Sequence, residues 1–130
     1  MRNIKNEGFT LIEMIIAVAV LAIVSGAILV SISGQKEKAE SNRILTEASA
    51  TVQPIMMCLS DGGSVNSPNS NGGNNICNIS PEYGQWPETS SSDFSYGSSS
   101  FPAGGDWSFE VSDGNYDINC SNDLNGCEKN

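Results

Sequence analysis

The sequence has no histidine and little positive charge. Its 130 residues carry six Lys or Arg against fifteen Asp or Glu, which gives a net charge of −9. Without histidine, the commonest general base and the commonest metal ligand are both missing. Because binding to phosphates needs clustered Lys and Arg, the acidic balance also argues against a nucleic-acid partner. These absences point away from histidine-based catalysis and from nucleic-acid binding.

Long aliphatic residues are scarce in the second half of the chain. Nearly all of them precede Leu59, whereas the rest is rich in Ser, Asn, Gly and Asp. A single globular core would draw apolar residues from the whole length. We therefore divide the chain into a short basic leader (residues 1–8), a long helix (residues 9–59) and a small polar head (residues 60–130).

The helical part opens with a long apolar run, residues 9–30, that contains one charged residue, Glu13. As a helix this run spans about 33 Å, enough to cross the hydrocarbon core of a bilayer. A secretory signal peptide has a shorter apolar region with a small-residue cleavage site behind it. Two interpretations remain. One is a plain single-pass anchor with its basic leader in the cytoplasm, and the other is a leader that is cut before the apolar run.

The residues around the start of this run favour cleavage before it. The segment GFTLIE, from Gly8 to Glu13, resembles position for position the processing site of type IV pilins and type II secretion pseudopilins. The resemblance covers the leader and the first half of the helix. It implies that a prepilin peptidase cuts between Gly8 and Phe9 on the cytoplasmic side and then methylates the new amino terminus.

Glu13 is costly in a membrane. A carboxylate in a membrane helix costs roughly 2.5 to 3.5 kcal/mol on insertion scales, so such a residue is a functional hypothesis by default. Its natural partner is the amine that cleavage creates at Phe9 of a neighbouring subunit, which makes Phe9 and Glu13 the predicted assembly residues. The alternative is that Glu13 only reaches the nearby cytoplasmic interface.

The helical pattern continues beyond the membrane segment. Apolar residues recur at helical spacing on one face: Ile44, Ala48, Val52, Ile55 and Leu59. This face needs a packing partner, and the head is the candidate within the chain, although Pro54 should bend or loosen the last turns. The resemblance to type IV pilins implies an α+β, pilin-like fold in which a long spine helix, transmembrane in its first half, packs against a small antiparallel β head.

The clearest strand pattern in the head runs from Asp106 to Cys120. Apolar and polar residues alternate over 107–111 and 116–120, around a predicted turn at 112–115. Upstream, residues 60–75 have the composition of a surface loop or a locally disordered segment. Five aromatic residues lie within polar sequence and are more typical of a core than of a sugar-binding surface: Tyr83, Trp86, Phe94, Tyr96 and Phe101.

Four cysteines behind a membrane segment indicate an oxidising compartment: Cys58, Cys77, Cys120 and Cys127. Three pairings are possible. We favour Cys58–Cys77, which would close the long loop onto the helix end, and Cys120–Cys127, which would close a small loop like the C-terminal disulfide loop of many pilins. Zinc is disfavoured because there are no C-x2-C pairs and no histidine.

Oxygen-bearing side chains near the C-terminus suggest calcium: Asp113, Asp117, Asn119, Asp123 and Asn125. The full EF-hand pattern is absent, so we interpret these residues as solvated turns and predict no metal and no cofactor. The segment Asn78-Ile79-Ser80 fits a glycosylation sequon, which is weak evidence alone.

The resemblance implies a structural subunit of a type IV pilus that serves adhesion, motility or DNA uptake, rather than an enzyme. The expected partners are copies of the chain in a helical filament, the prepilin peptidase, an inner-membrane platform protein, an assembly ATPase and the membrane itself. The precursor would lie in the cytoplasmic membrane and the mature chain in an extracellular filament. The alternatives are a type II secretion pseudopilin or minor pilin and, less favoured, a membrane-anchored surface protein.

Overall fold

A computed structural model describes residues 8–130, without the side chains of residues 30, 31 and 33. It contains a long helix, α1 (Leu11–Ser60), and a short 3₁₀-helix (Pro81–Tyr83). Four strands follow: β1 (Ser95–Ser100), β2 (Ser108–Ser112), β3 (Asp117–Ser121) and β4 (Gly126–Lys129). By its internal contacts the chain divides into two units, Met1–Lys38 and Ala39–Asn130. Apart from Gly8, the predicted leader lies outside the described residues.

The first unit is dominated by the apolar part of α1. Among the described residues, α1 is the one helix long and apolar enough to cross a membrane, and its most apolar stretch has no buried residues. Large side chains such as Leu11, Leu21 and Ile23 are more than half exposed. These side chains therefore need lipid or other helices as partners.

In the second unit, the predicted apolar face of α1 packs on the core of the head. Ile44, Ala48 and Ile55 are buried, and Val52 and Leu59 are partly buried against the same cluster. This confirms the buried face predicted from the helical spacing and the α+β arrangement that the resemblance implies. The helix continues through Pro54 and ends at Ser60.

The head sheet is an antiparallel meander with the strand order β1-β2-β3-β4. The predicted hairpin is β2 and β3, in which Phe109 pairs with Cys120 and Val111 with Ile118. All four residues are buried. Their burial on one face confirms the alternation read from the sequence.

The hairpin turn lies one residue later than predicted. Ser112 pairs with Asp117 and so belongs to the strand, which leaves Asp113 to Tyr116 as the turn. The Asp113 carboxylate accepts hydrogen bonds from the backbone N–H groups of Asn115 and Tyr116, at 2.8 and 2.7 Å. This side-chain cap fixes the turn around Asp113 rather than around Ser112.

Trp86 lies at the centre of an aromatic core. Its ring centroid is 4.9 to 5.8 Å from those of Tyr96, Phe101 and Phe109. Its indole Nε1–H donates to the backbone carbonyl of Asn66 at 2.9 Å. The core role predicted for the head aromatics is therefore confirmed for Trp86, Phe94 and Tyr96, which are buried, whereas Tyr83 and Phe101 are partly buried.

The loop predicted over residues 60–75 is irregular but well bonded. It forms an isolated β-bridge from Val65 to Cys77, and a further bridge joins Asn75 to Gln85. At Gly72 the backbone has φ +73°, and a Cβ atom there would lie 2.1 Å from the carbonyl oxygen of Pro87. Glycine is therefore required where the loop crosses this segment.

Lys129 on the last strand, β4, forms hydrogen bonds to α1. The Lys129 ammonium donates to Asn42 Oδ1 at 2.9 Å and to the buried Ser41 hydroxyl at 3.2 Å. It also lies 5.3 Å from the centroid of the Tyr116 ring. These contacts hold the C-terminal strand against the helix.

Two disulfides stabilise the head. Cys58 at the end of α1 is joined to Cys77, and Cys120 on β3 is joined to its strand partner Cys127 on β4. This is the pairing that the sequence analysis favours. The first bridge spans 19 residues and the second spans 7.

The two bridges should differ in their effect on stability. Because a longer closed loop restricts the unfolded chain more, replacing Cys58 and Cys77 with Ser should lower the free energy of unfolding by about 3 kcal/mol, against about 2 kcal/mol for Cys120 and Cys127. Denaturant unfolding of the full chain in detergent micelles measures both values. A larger loss from the Cys120/Cys127 pair would contradict this ranking.

Candidate processing and assembly site

The start of α1 is built around a contact between Thr10 and Glu13. Thr10 immediately precedes the first helical residue, Leu11. Its backbone N–H and its hydroxyl both donate to Glu13 Oε2, at 3.2 and 3.1 Å, and the Glu13 N–H donates back to Thr10 Oγ1 at 3.4 Å. This reciprocal pattern is a capping box, in which each side chain satisfies a backbone N–H at the open end of the helix.

The capping box gives the Glu13 carboxylate two local interactions. A carboxylate at a helix N-terminus is stabilised by the helix dipole, and the bonds from Thr10 add charge-assisted hydrogen bonding. Both Thr10 groups bind Oε2, and no hydrogen bond to Glu13 Oε1 is found among residues 8–130. Glu13 therefore has a local partner and an oxygen still able to bind a second one.

The predicted processing and assembly residues lie together. Gly8, Phe9, Thr10 and Glu13 line one open cavity of about 340 Å³. Phe9 is 80% exposed. The sequence reading missed the role of Thr10, although the T-x-x-E spacing of Thr10 and Glu13 is the standard signal for a capping box.

Gly8 is not required by packing among residues 8–130. A Cβ atom built there would meet nothing within 4 Å. Any need for glycine at this position therefore comes from outside the described chain.

Residues 3–29 match the family model of the prokaryotic N-terminal methylation motif. The chain carries the prepilin signature. The match includes Gly8, Phe9 and Glu13 and indicates a type IV pilin-like or pseudopilin protein, from a family of structural subunits. Together with the apolar first unit, it also indicates a membrane-anchored precursor. Neither the curated proteins nor the solved structures yielded a match for the chain.

Elsewhere in the chain, two of the carboxylates suggested for calcium form hydrogen bonds at the β2–β3 turn. Asp113 caps the β2–β3 turn, and Asp117 accepts a hydrogen bond from the Ser112 hydroxyl. Asn125 has φ 55° in the connection between β3 and β4. Within residues 8–130, no group of three or more His, Cys, Asp or Glu residues could hold a metal ion.

Loss of the Thr10 cap should reduce filament yield less than loss of the Glu13 charge does. Thr10→Val removes the capping oxygen and should weaken the first helical turn by about 1 kcal/mol, which corresponds to roughly a fivefold loss in any equilibrium that needs this turn. Thr10→Ser keeps the hydroxyl and is the matched control. We expect a several-fold lower yield of sheared filaments from Thr10→Val and a normal yield from Thr10→Ser. Equal yields from both variants would mean that the cap has no role.

Proposed function

We propose that this chain is a structural subunit of a type IV pilus. The observation that carries the proposal is the methylation-motif match over residues 3–29, which contains the Gly8–Phe9 junction and Glu13. In this proposal residues 1–8 are a cytoplasmic leader, and residues 9–30 span the membrane and later form the filament core. Residues 60–130 form the head outside the membrane.

The mechanism begins with processing. The prepilin peptidase cuts between Gly8 and Phe9 and methylates the new amine. The open space around Gly8 and the exposure of Phe9 support this step, because neither residue is shielded by the folded chain.

Assembly then joins processed subunits. A platform protein and a cytoplasmic ATPase lift each subunit from the membrane, and Glu13 of the incoming subunit pairs with the Phe9 amine of a neighbour. Glu13 Oε1, which accepts no hydrogen bond from the part of the chain that the structure describes, supports this pairing, since it can accept the amine while Oε2 keeps its bonds to Thr10. The exposed apolar side chains of the first unit then lose their contacts with lipid and pack against the same side chains of neighbouring subunits, so that they remain out of water.

The disulfides support an oxidising location for the head, because such bonds persist outside the cytoplasm. A type II secretion pseudopilin or a minor pilin would share the same N-terminal region. Filament composition separates these possibilities from a major pilus subunit.

The proposal is tested by electron microscopy of intact cells with an antibody against the head, alongside a deletion strain. We expect labelled surface filaments in which this chain is the main component of the sheared fraction. Label confined to the cell envelope in cells that still bear pili would contradict a major pilus subunit and favour the pseudopilin alternative.

A further inference from the structure

A groove lies between the last turns of α1 and the 3₁₀-helix, within the second unit. Its volume is about 430 Å³, and it is lined by Ala50, Gln53, Pro54, Met57, Glu82 and Tyr83. Met57 is 49% exposed, so the chain itself leaves part of this apolar surface uncovered. The groove shares no residue with the cavity at the N-terminus.

Negative charge lies beside this apolar surface. Glu82 is exposed at the rim, and the Tyr83 hydroxyl donates a hydrogen bond to the Asp61 carboxylate. That bond raises the pKa of Tyr83 above its ordinary value. A surface with apolar walls, an aromatic ring and carboxylates is chemically suited to a long cationic side chain, whose stem packs on the walls while its charge meets the acids.

The second unit has few Lys or Arg residues that could bind this acidic surface. After Arg43, the sequence contains one Lys or Arg, which is Lys129. Lys129 is bound to Ser41 and Asn42, and Arg43 forms an ion pair with Glu47 at 3.5 Å. The other Lys residues behind the proposed cleavage site are Lys36 and Lys38, both exposed on α1. Lys38 already has an interaction within the chain, which leaves Lys36 as the candidate for a contact with another copy.

We propose that this groove binds Lys36 of a second copy of the chain. The proposal rests on the filament function above, which brings many copies of a strongly acidic chain side by side. Like charges on neighbouring heads repel, so a contact between Lys36 of one copy and the carboxylate beside the groove of another favours assembly and selects one arrangement of the copies.

The test is a charge swap in cells, with the yield of sheared filaments and the N-terminal residue of the chain as readouts. Lys36→Glu and Glu82→Lys each place like charges at the contact. Glu82 is a suitable position because its contact with Ser80 is made by its backbone and not by its carboxylate. The Glu82 backbone N–H donates a hydrogen bond to the Ser80 hydroxyl. Glu88→Lys, at an exposed carboxylate outside the groove, is the control for net charge.

Each single reversal should lower filament yield on the order of tenfold or more, since a 1.4 kcal/mol penalty per contact already corresponds to that factor. The amount of processed chain should not change. The double variant Lys36→Glu/Glu82→Lys should recover most of the yield, and Glu88→Lys should match the wild type.

Normal filament yield from Lys36→Glu, or no recovery in the double variant, would overturn this contact and leave the pilus function standing. A loss from Glu82→Lys alone would mean that the groove binds a different partner. Wild-type cells in which this chain forms no filament would overturn the contact and the proposed function together.

Discussion

Glu13→Gln should abolish filament formation while the precursor is still inserted, processed and folded. The reason lies in the two separate tasks of the Glu13 side chain. Its Oε2 caps the helix by accepting from Thr10, and glutamine retains such an acceptor because a capping box accepts Gln as well as Glu. Its negative charge is lost, and with it the proposed attraction to the Phe9 amine of a neighbour.

The low dielectric constant of the proposed filament core explains why the loss of filaments should be large. Opposite charges in a low-dielectric filament core attract far more strongly than in water, and an amine left unpaired there carries a large desolvation penalty. We therefore expect loss of sheared filaments rather than a graded decrease. Thr10→Val, which keeps the charge and removes the cap, is the complementary variant.

The measurement is the amount of chain in the sheared fraction, with head folding checked by protease resistance and processing by mass. Abundant filaments from Glu13→Gln would mean that the carboxylate acts only as a cap. Loss of processing in the same variant would instead place Glu13 in recognition by the peptidase.

Gly8→Val should cause the full-length precursor to accumulate in the membrane. Among the described residues, a Cβ atom at Gly8 meets no neighbour within 4 Å, so the substitution should leave the fold of residues 8–130 undisturbed. The expected defect arises in the proposed peptidase: if it approaches the backbone closely at this junction, an added side chain obstructs that approach.

Gly34→Ala is a matched control, because Gly34 also has no neighbour within 4 Å and lies away from the junction. Mass spectrometry of the membrane fraction should find residues 1–8 retained in Gly8→Val and absent in Gly34→Ala. Efficient cleavage of Gly8→Val would show that the junction does not need glycine.

Regular patterns made part of this fold predictable. The helical spacing of Ile44, Ala48 and Ile55 identified the buried face of α1 because helix geometry alone places those residues together. The alternation in β2 and β3 likewise identified the hairpin. In both cases apolar residues repeat at the period of the element that they form.

The remaining strands could not be predicted because they lack such a repeat. β1 is mostly serine, with Tyr96 as its buried residue. β4 has four residues, and it is held by Cys127 and Lys129 rather than by an apolar face. Their pairing depends on contacts with residues distant in sequence, which local propensity does not record.

The candidate site divides in the same way. Gly8, Phe9 and Glu13 were found because the segment around them resembles a known processing site. The part played by Thr10 emerged from hydrogen-bond geometry, although the T-x-x-E spacing had been present throughout. The burial of Ser41 in the head core was also not predicted from the sequence. It is explained by the hydrogen bond that the Lys129 ammonium donates to the Ser41 hydroxyl.

The most direct test of the central claim is the N-terminal residue of the mature chain, measured by mass spectrometry of membrane and sheared-surface fractions. The account predicts a chain that starts at N-methylated Phe9 and is enriched in the sheared fraction. A chain that starts at Met1 and stays in the membrane would contradict it and identify an anchored surface protein instead.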